Sequence, residues 1–416
     1  SAVAARNLSA PQVSLPQDED AAVRDIWERF LNVACETDAR DKLAAYQSDP
    51  VALTEDGLRD WARQSDPAKV QRVVKALEFS AEALETMDTG EYLMMLKADV
   101  KPDLTTKPIF NRVEPQVIVY HRTELNALYS AVFRVMVRRF MSLLRPNYRV
   151  ILLKDMKEAE RVVQSVHPFG MELQYLENDF SKYDKSQGRL VHLLEAYVFG
   201  QLGMNERLLE HWLGGHRTAR VRSVQLGMSL HVDYQRKSGD ATTAFGNVLL
   251  NVLSVTYAYS GTEVVWALFI GDDSLVACRR IAGDKNAVRV LAEVFNLGSK
   301  MLVTNAPYFA SNFLVIDSAA GVVRFAPDPV KRIARWSMTV NAEDPLWHDR
   351  WVSARDACEA YMNELIVSAL PPLVAERYDV GTADVGSAVR AVATVVADEK
   401  QFRAMWKEEP EWVTYG

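Results

Sequence analysis

Val264-Val265-Trp266-Ala267-Leu268-Phe269-Ile270-Gly271-Asp272-Asp273-Ser274-Leu275-Val276-Ala277 is the stretch on which the fold of this chain turns. Two apolar runs flank a glycine and two adjacent carboxylates, which predicts a hairpin of buried strands with an acidic tip. Buried strands exclude charge unless it is paired or bound to a metal. Asp272 and Asp273 therefore point to a divalent-cation site. Acidic turns are common, so the meaning of this one depends on what accompanies it.

Two further blocks accompany it. The first is Leu173-Gln174-Tyr175-Leu176-Glu177-Asn178-Asp179-Phe180-Ser181-Lys182-Tyr183-Asp184-Lys185-Ser186-Gln187. The second is Gln235-Arg236-Lys237-Ser238-Gly239-Asp240-Ala241-Thr242-Thr243-Ala244-Phe245-Gly246-Asn247. In order and approximate separation, the three blocks resemble motifs A, B and C of a viral RNA-dependent RNA polymerase. The Asp-Phe-Ser-Lys-Tyr-Asp-Lys-Ser-Gln and Gln-Arg-Lys-Ser-Gly-Asp-Ala-Thr-Thr strings narrow the resemblance to the alphavirus-like supergroup of plus-strand RNA virus replicases, with its kitavirus, closterovirus, bromovirus and tobamovirus relatives. It covers roughly residues 90 to 340.

Composition is compatible with this. The chain has 416 residues, 49% hydrophobic and 25% charged, enough to bury a large core. A net charge of −7 argues against a surface basic all over. A local channel is still open to it, because the local field matters more than the sum. Basic residues cluster at Arg134, Arg138, Arg139, Arg145 and Arg149, at Arg217, Arg220 and Arg222, and at Arg236 and Lys237. Cys35, Cys278 and Cys358 are far apart, with no zinc or disulfide spacing, which suggests a reducing compartment. No run reaches membrane-span length, and no signal peptide, Walker A string or Gly-x-Ser-x-Gly is visible.

Along the chain, residues 1–85 read as a tail and helical extension, with Val23, Ile26, Trp27, Phe30 and Leu31 at helical spacing and a second helix from Pro67 to Thr86. Gln116–Tyr120 is strand-like, Leu125–Leu144 helical, Met171–Asp179 strand-like, and Leu190–Val198 helical. A helix in the second block, the acidic hairpin and a helix over Val288–Phe295 follow. This order predicts an α+β fold, a mixed sheet with helices on one face. Ser353-Ala354-Arg355-Asp356 looks like a capping-box start, with its helix ending at Pro371-Pro372 and a last helical pair over Ser387–Glu409. The resemblance implies a right-hand polymerase: part of the fingers in 86–170, an RRM-like palm sheet with an interleaved fingers segment in 171–325, and a helical thumb in 326–416.

The resemblance also implies roles. Asp179 and Asp272 would bridge two Mg²⁺ ions, with Mn²⁺ able to substitute, and Asp273 would be an auxiliary ligand. Asp184 would face the ribose hydroxyls of the incoming ribonucleoside triphosphate. Ser238, Gly239, Thr243 and Asn247 match the Ser-Gly-x-x-x-Thr-x-x-x-Asn pattern, with Thr243 and Asn247 on one helix face. Asn247 would reach toward Asp184, and Ser238-Gly239 would form a flexible loop near the template. Lys97, Lys101 and Arg122 would hold the triphosphate, and Lys300 would protonate the leaving pyrophosphate. Tyr308–Leu314 looks like motif E, which supports the primer strand. It carries Ala310-Ser311-Asn312 where many relatives have Cys-Ser-Lys, so a charged primer contact is in doubt there.

Implied partners are template and nascent RNA and other replicase domains, a helicase and a capping methyltransferase, which are expected outside this chain. The implied location is host cytoplasm at membrane-associated replication complexes, with membrane contact only indirect. A reverse transcriptase would carry an aromatic residue that excludes the 2′-hydroxyl where this chain has Asp184 and Asn247. A metal phosphohydrolase would typically show His ligands, and a polymerase-like scaffold would have lost a catalytic Asp.

Overall fold

A computed structural model describes residues 18–76, 86–96, 117–152, 155–224, 226–281, 284–336 and 346–405. It has the mixed α+β character expected. Twelve strands lie among the described residues: β1 (Glu91–Leu96), β2 (Val117–Tyr120), β3 (Tyr148–Val150), β4 (Gln174–Ser181), β5 (Ala219–Ser223), β6 (Met228–Val232), β7 (Val264–Ile270), β8 (Asp273–Cys278), β9 (Gly298–Thr304), β10 (Tyr308–Phe309), β11 (Asn312–Asp317) and β12 (Val322–Pro327). They form three sheets in the orders β2-β1-β5-β6, β3-β7-β8-β4-β9 and β10-β11-β12.

The acidic hairpin forms as predicted. β7 and β8 are antiparallel, and Ile270 pairs with Asp273 across a two-residue turn of Gly271 and Asp272. Gly271 has φ +54°. Positive φ at the first central position alone is the pattern of a II′ turn, which matches strand twist and favours glycine there. Trp266 to Phe269 and Ser274 to Cys278 are buried, so the hairpin rises out of the core and ends in exposed aspartates.

Two compact units emerge. The first comprises 1–100, 114–153 and 178–302, and the second 101–113, 154–177 and 303–416. The first holds the four-stranded sheet and the Asp-bearing parts of the five-stranded sheet. Its core is organised by the Thr243–Ala258 helix, against which the Glu19–Ala34 helix packs. An aromatic row joins them: Trp27 to Phe30 at 5.1 Å, Phe30 to Phe140 at 5.3 Å, Phe140 to Phe245 at 5.8 Å and Phe245 to Phe199 at 5.5 Å. Tyr257 adds a hydrogen bond to Asp25 (2.7 Å) and stacks under Arg29. The N-terminal helix, capped by Asp18, is thus built into the same core as the second motif block.

The second unit packs the β10-β11-β12 sheet with the helices Met156–Val166, Pro329–Trp336, Trp347–Ala357, Glu364–Tyr378, Thr382–Ala397 and Glu399–Ala404. Two expectations fail here. Ser353 starts no helix: it lies inside Trp347–Ala357, because buried Trp347 packs on Phe402 and begins the helix earlier. Pro371 and Pro372 end no helix either: they lie inside Glu364–Tyr378. Ile366, Leu370 and Val374 repeat at a spacing of four and are fully buried. Their common apolar face outweighs the loss of two backbone donors. The helix expected from Pro67 to Thr86 is described as Pro67–Ala76, and 77–85 fall outside the described residues.

Phe140, fully buried between Phe30 and Phe245, tests whether the N-terminal helix belongs to the core of the first unit. Phe140→Ala is expected to destabilise by about 3–5 kcal/mol, read from the urea midpoint. A change within about 0.5 kcal/mol, the scale of surface substitutions, would show that this aromatic row is not a core.

Candidate active site

Asp179 lies near the end of β4, and β4 neighbours β8 in the sheet. Asn178 Nδ2 donates to Ser274 Oγ (3.3 Å) on the buried side, while Tyr259 and Ser299 hydroxyls donate to Asn178 Oδ1. Side chains alternate along strands. Since Asn178 and Ser274 meet on the buried face, Asp179 and Asp273 share the opposite one, where both are exposed. Asp272 at the turn is also exposed and close enough to Tyr183 for its charge to help burial push that phenol well above its ordinary pKa. The three aspartates are thus brought to one end of the sheet. Among the described residues, no group of three His, Cys, Asp or Glu side chains is placed to hold a metal ion. The three carboxylates are hard oxygen donors, the ligand type that Mg²⁺ takes in small number while it keeps several waters.

The turn is held from behind. Asn251, buried on the Thr243–Ala258 helix, donates from Nδ2 to the carbonyls of Gly271 (3.1 Å) and Asp273 (2.9 Å). One turn earlier, Asn247 Nδ2 donates to Asp184 Oδ1 at 2.8 Å, the contact that the resemblance implied. Thr243, a further turn back, donates to the Lys237 carbonyl at 2.5 Å. Asn178 and Asn251 were not singled out in the sequence. A lone Asn in the apolar run Val248–Val255, four residues beyond Asn247, is the signal that marks Asn251.

Ser238-Gly239 is tied down rather than free. Ser238 Oγ accepts from Val119 N (3.3 Å) and donates to Val117 O (3.2 Å), and Gly239 N donates to Val119 O (2.7 Å). A Cβ on Gly239 would lie 2.7 Å from that of Tyr120, so glycine is required by close approach to β2 and not by flexibility.

Beneath this loop lies a buried polar knot. Asp240 accepts from Thr242 N (2.8 Å) and Oγ1 (2.6 Å) and from Tyr92 (3.3 Å), and sits 3.0 Å from His121 Nδ1. Burial opposes its charge, yet the His121 contact, with His216 and Thr242, holds it well below the usual carboxylate range. His192 and His216 are pushed well below their ordinary value, by burial first. Lys237 is buried with its Nζ 5.2 Å from the Tyr92 ring centre and without a hydrogen bond. Burial lowers it to about 7, against the pull of Asp240 and with the push of Arg236.

The other candidates are more scattered. Lys300 is exposed on β9, the neighbour of β4. Arg122 is exposed just before the Thr123–Leu143 helix. Lys97 and Lys101 lie outside the described residues. Within the basic cluster, Arg139 binds Asp49 and the carbonyls of Tyr46 and Leu202, and Arg145 binds those of Cys35 and Asn32, so both serve the fold.

In the second unit, Phe309 pairs with Asn312 across Ala310 and Ser311, both at positive φ (51° and 66°), a strained I′ turn without glycine. Lys331 Nζ lies 3.3 Å from Ser311 Oγ, beside this turn. Arg161, Arg332 and Arg335 line the same cleft.

Lys237 carries a pH signature. It loses its proton near pH 7 when folded and near 10.5 when unfolded. Between these values the unfolded chain binds more protons, so stability rises with pH across that window. Lys237→Met is expected to lose this rise, so that the wild type gains Tm relative to the variant between pH 7 and about 9.5. Parallel Tm profiles would mean that Lys237 titrates normally.

Comparison with known proteins agrees with the motifs. Residues 1–405 match the family described as RNA dependent RNA polymerase. The chain is 27% identical over 381 residues to replicase polyprotein 1ab of Beet yellows virus (isolate Ukraine), covering 90% of this chain and 12% of that protein. It is 25% identical over 403 residues to the replicase large subunit of Tobacco rattle virus (isolate PpK20), covering 96% and 22%. To RNA-directed RNA polymerase 2a of Olive latent virus 2 (isolate Italy) it is 28% identical over 402 residues, covering 95% and 46%. The chain therefore spans less than half the length of each of these relatives. A match over nearly its whole length, with the three motif blocks in order, shows that the chain belongs to the RNA-dependent RNA polymerase family.

Proposed function

We propose that this chain is the catalytic core of a viral replicase that extends an RNA strand on an RNA template from ribonucleoside triphosphates. The observation that carries this is the gathering of Asp179, Asp272 and Asp273 at one end of the five-stranded sheet, with the Asp184–Asn247 pair anchored to the same helix that holds the turn. The five-stranded sheet then serves as palm, the β2-β1-β5-β6 sheet as part of the fingers, and the Trp347–Ala404 helices as thumb.

Asp179 and Asp272 would hold two Mg²⁺ ions, or Mn²⁺, with Asp273 assisting. Bound there, the ions would offset charge developing on the α-phosphate and ease loss of the 3′-hydroxyl proton. Asp184 would accept a hydrogen bond from a ribose hydroxyl, with Asn247 holding its carboxylate in place. A site that hydrogen-bonds a hydroxyl rejects the analogue lacking it by as much as about 10⁴-fold. Arg122, Lys97 and Lys101 would attract the triphosphate, and Lys300 Nζ would give a proton to the departing pyrophosphate. Lys331 beside the Ala310-Ser311 turn, with Arg161, Arg332 and Arg335, supports a contact to RNA phosphates. A helicase and a capping methyltransferase would be partners, at membrane-associated complexes in the host cytoplasm. Among the described residues, no helix is long and apolar enough to cross a membrane.

The test is incorporation of labelled ribonucleotides on a primed RNA template with and without Mg²⁺. Asp272→Ala is expected to reduce incorporation by about 10²–10³-fold or more, the scale of removing a principal electrostatic stabiliser, while leaving RNA affinity within a few-fold. Full incorporation by Asp272→Ala, or incorporation unaffected by chelation, would refute the assignment. RNA binding without incorporation by the wild type would favour an RNA-binding scaffold.

A further inference from the structure

Behind the Asp184–Asn247 pair lies a row of hydrogen bonds with one direction. Arg236 Nε donates to Gln187 Oε1 at 2.7 Å. Gln187 Nε2 donates to Asn247 Oδ1 at 2.9 Å. Asn247 Nδ2 donates to Asp184 Oδ1 at 2.8 Å. Gln187 is fully buried. Arg236 is also buried and anchored by Glu195 and by Thr242 Oγ1 (3.3 Å).

Side-chain amides are ordinarily ambiguous, because oxygen and nitrogen exchange places by a flip. Here both ends of the row remove the ambiguity. A guanidinium only donates, and an ionised carboxylate only accepts. Gln187 must therefore turn its oxygen to Arg236 and its nitrogen to Asn247. Asn247 must in turn give its oxygen to Gln187 and its nitrogen to Asp184. With Gln187 absent, Asn247 has no buried donor to hold it in this orientation. Once flipped, its oxygen would face the Asp184 carboxylate, two acceptors in contact.

We propose that Gln187, oriented by Arg236, is a positioning residue that fixes the amide polarity of Asn247 and thereby sets selection of ribonucleotides over 2′-deoxyribonucleotides. This rests on the assignment of Asp184 and Asn247 to the ribose hydroxyls. Gln187 itself need not touch the nucleotide. Its role is to keep Asp184 held by a donor and available as an acceptor for the ribose.

Gln187→Glu is the sharpest probe. Glutamate has nearly the same shape and still pairs with Arg236, but it offers only acceptors to Asn247 and so favours the flipped amide. The measured quantity is the ratio of kcat/KM for a ribonucleoside triphosphate over its 2′-deoxy counterpart on primed RNA. The same ratio is read as ternary-complex affinity on a primer lacking its 3′-hydroxyl. The ratio is expected to fall about tenfold, on the scale of one net hydrogen bond. Gln187→Met, which removes the polarity and keeps the bulk, is expected to lower it about two- to threefold, and it carries the test if the glutamate variant does not fold. A purely structural role would slow both substrates equally and leave the ratio unchanged in both Gln187 variants, which overturns the proposal. Asn247→Ala separates the two levels. If its ratio falls while both Gln187 variants match wild type, the ribose assignment stands and the Gln187 role is lost. If Asn247→Ala itself leaves the ratio unchanged, the ribose assignment fails, and the proposal fails with it.

Discussion

Thr243, Asn247 and Asn251 form a polar stripe at a spacing of four on a largely apolar helix, and the site depends on it. A polar group buried without a partner costs roughly 1–3 kcal/mol on protein scales. Asn251 is the fully buried member, and the donors of all three bind different pieces of the site. Thr243 takes the Lys237 carbonyl, Asn247 the Asp184 carboxylate, and Asn251 the two carbonyls that flank Asp272. One rigid helix thus sets the positions of three segments far apart in sequence. Its apolar side is fastened in turn by Phe245 to Phe140 and Phe199, and by contact with the Glu19–Ala34 helix. Because a helix at native packing density transmits displacement, a shift in that core would be felt at the aspartates.

The buried charges of the first unit follow from the same requirement. Arg236 keeps its charge under all ordinary conditions, and Glu195, Gln187 and Thr242 together satisfy it. An apolar replacement of similar bulk would often be no less stable than such a buried pair. What an apolar core lacks is direction. Arg236 and Asp240 sit four residues apart on either side of Ser238-Gly239, each locked into its own hydrogen-bonded network. The loop between them is held against β2 with little freedom to wander. That rigidity is consistent with a site whose selectivity requires hydrogen-bond geometry preset to within a fraction of an ångström.

What was legible in the sequence was local. The hairpin could be read because two apolar runs, a glycine and paired acids are all contiguous between Val264 and Ala277. The shared face of Thr243 and Asn247 could be read from their helical spacing, whereas the Asp184–Asn247 contact came from the family resemblance. The helix pattern around Val23–Leu31 was also plain. Its destination was not, because packing against Tyr257 and Phe140 joins segments more than a hundred residues apart. Asn178 and Gln187 were hidden for the same reason: each has meaning only through partners on other strands and helices. Pro371 and Pro372 misled because a local rule about backbone donors was overruled by a buried face that local rules do not see.

The Ala310-Ser311 turn shows how such distant compensation works. Asn312 closes on its own turn by donating from Nδ2 to the Ala310 carbonyl (2.9 Å). Two non-glycine residues at positive φ store strain there, of order 1 kcal/mol or more each. The turn is braced by Asp328, whose amide donates to the Ser311 carbonyl (3.0 Å) and whose carboxylate gathers the hydroxyls of Tyr308 and Tyr378. Asp328 also caps the helix that begins at Pro329, accepting from Val330 N (2.9 Å). That helix carries Lys331 back to Ser311. One buried carboxylate therefore fixes both the strained turn and the helix that returns a cation to it. A single buried side chain thus couples a strand turn to the start of a helix, two elements that the sequence separates.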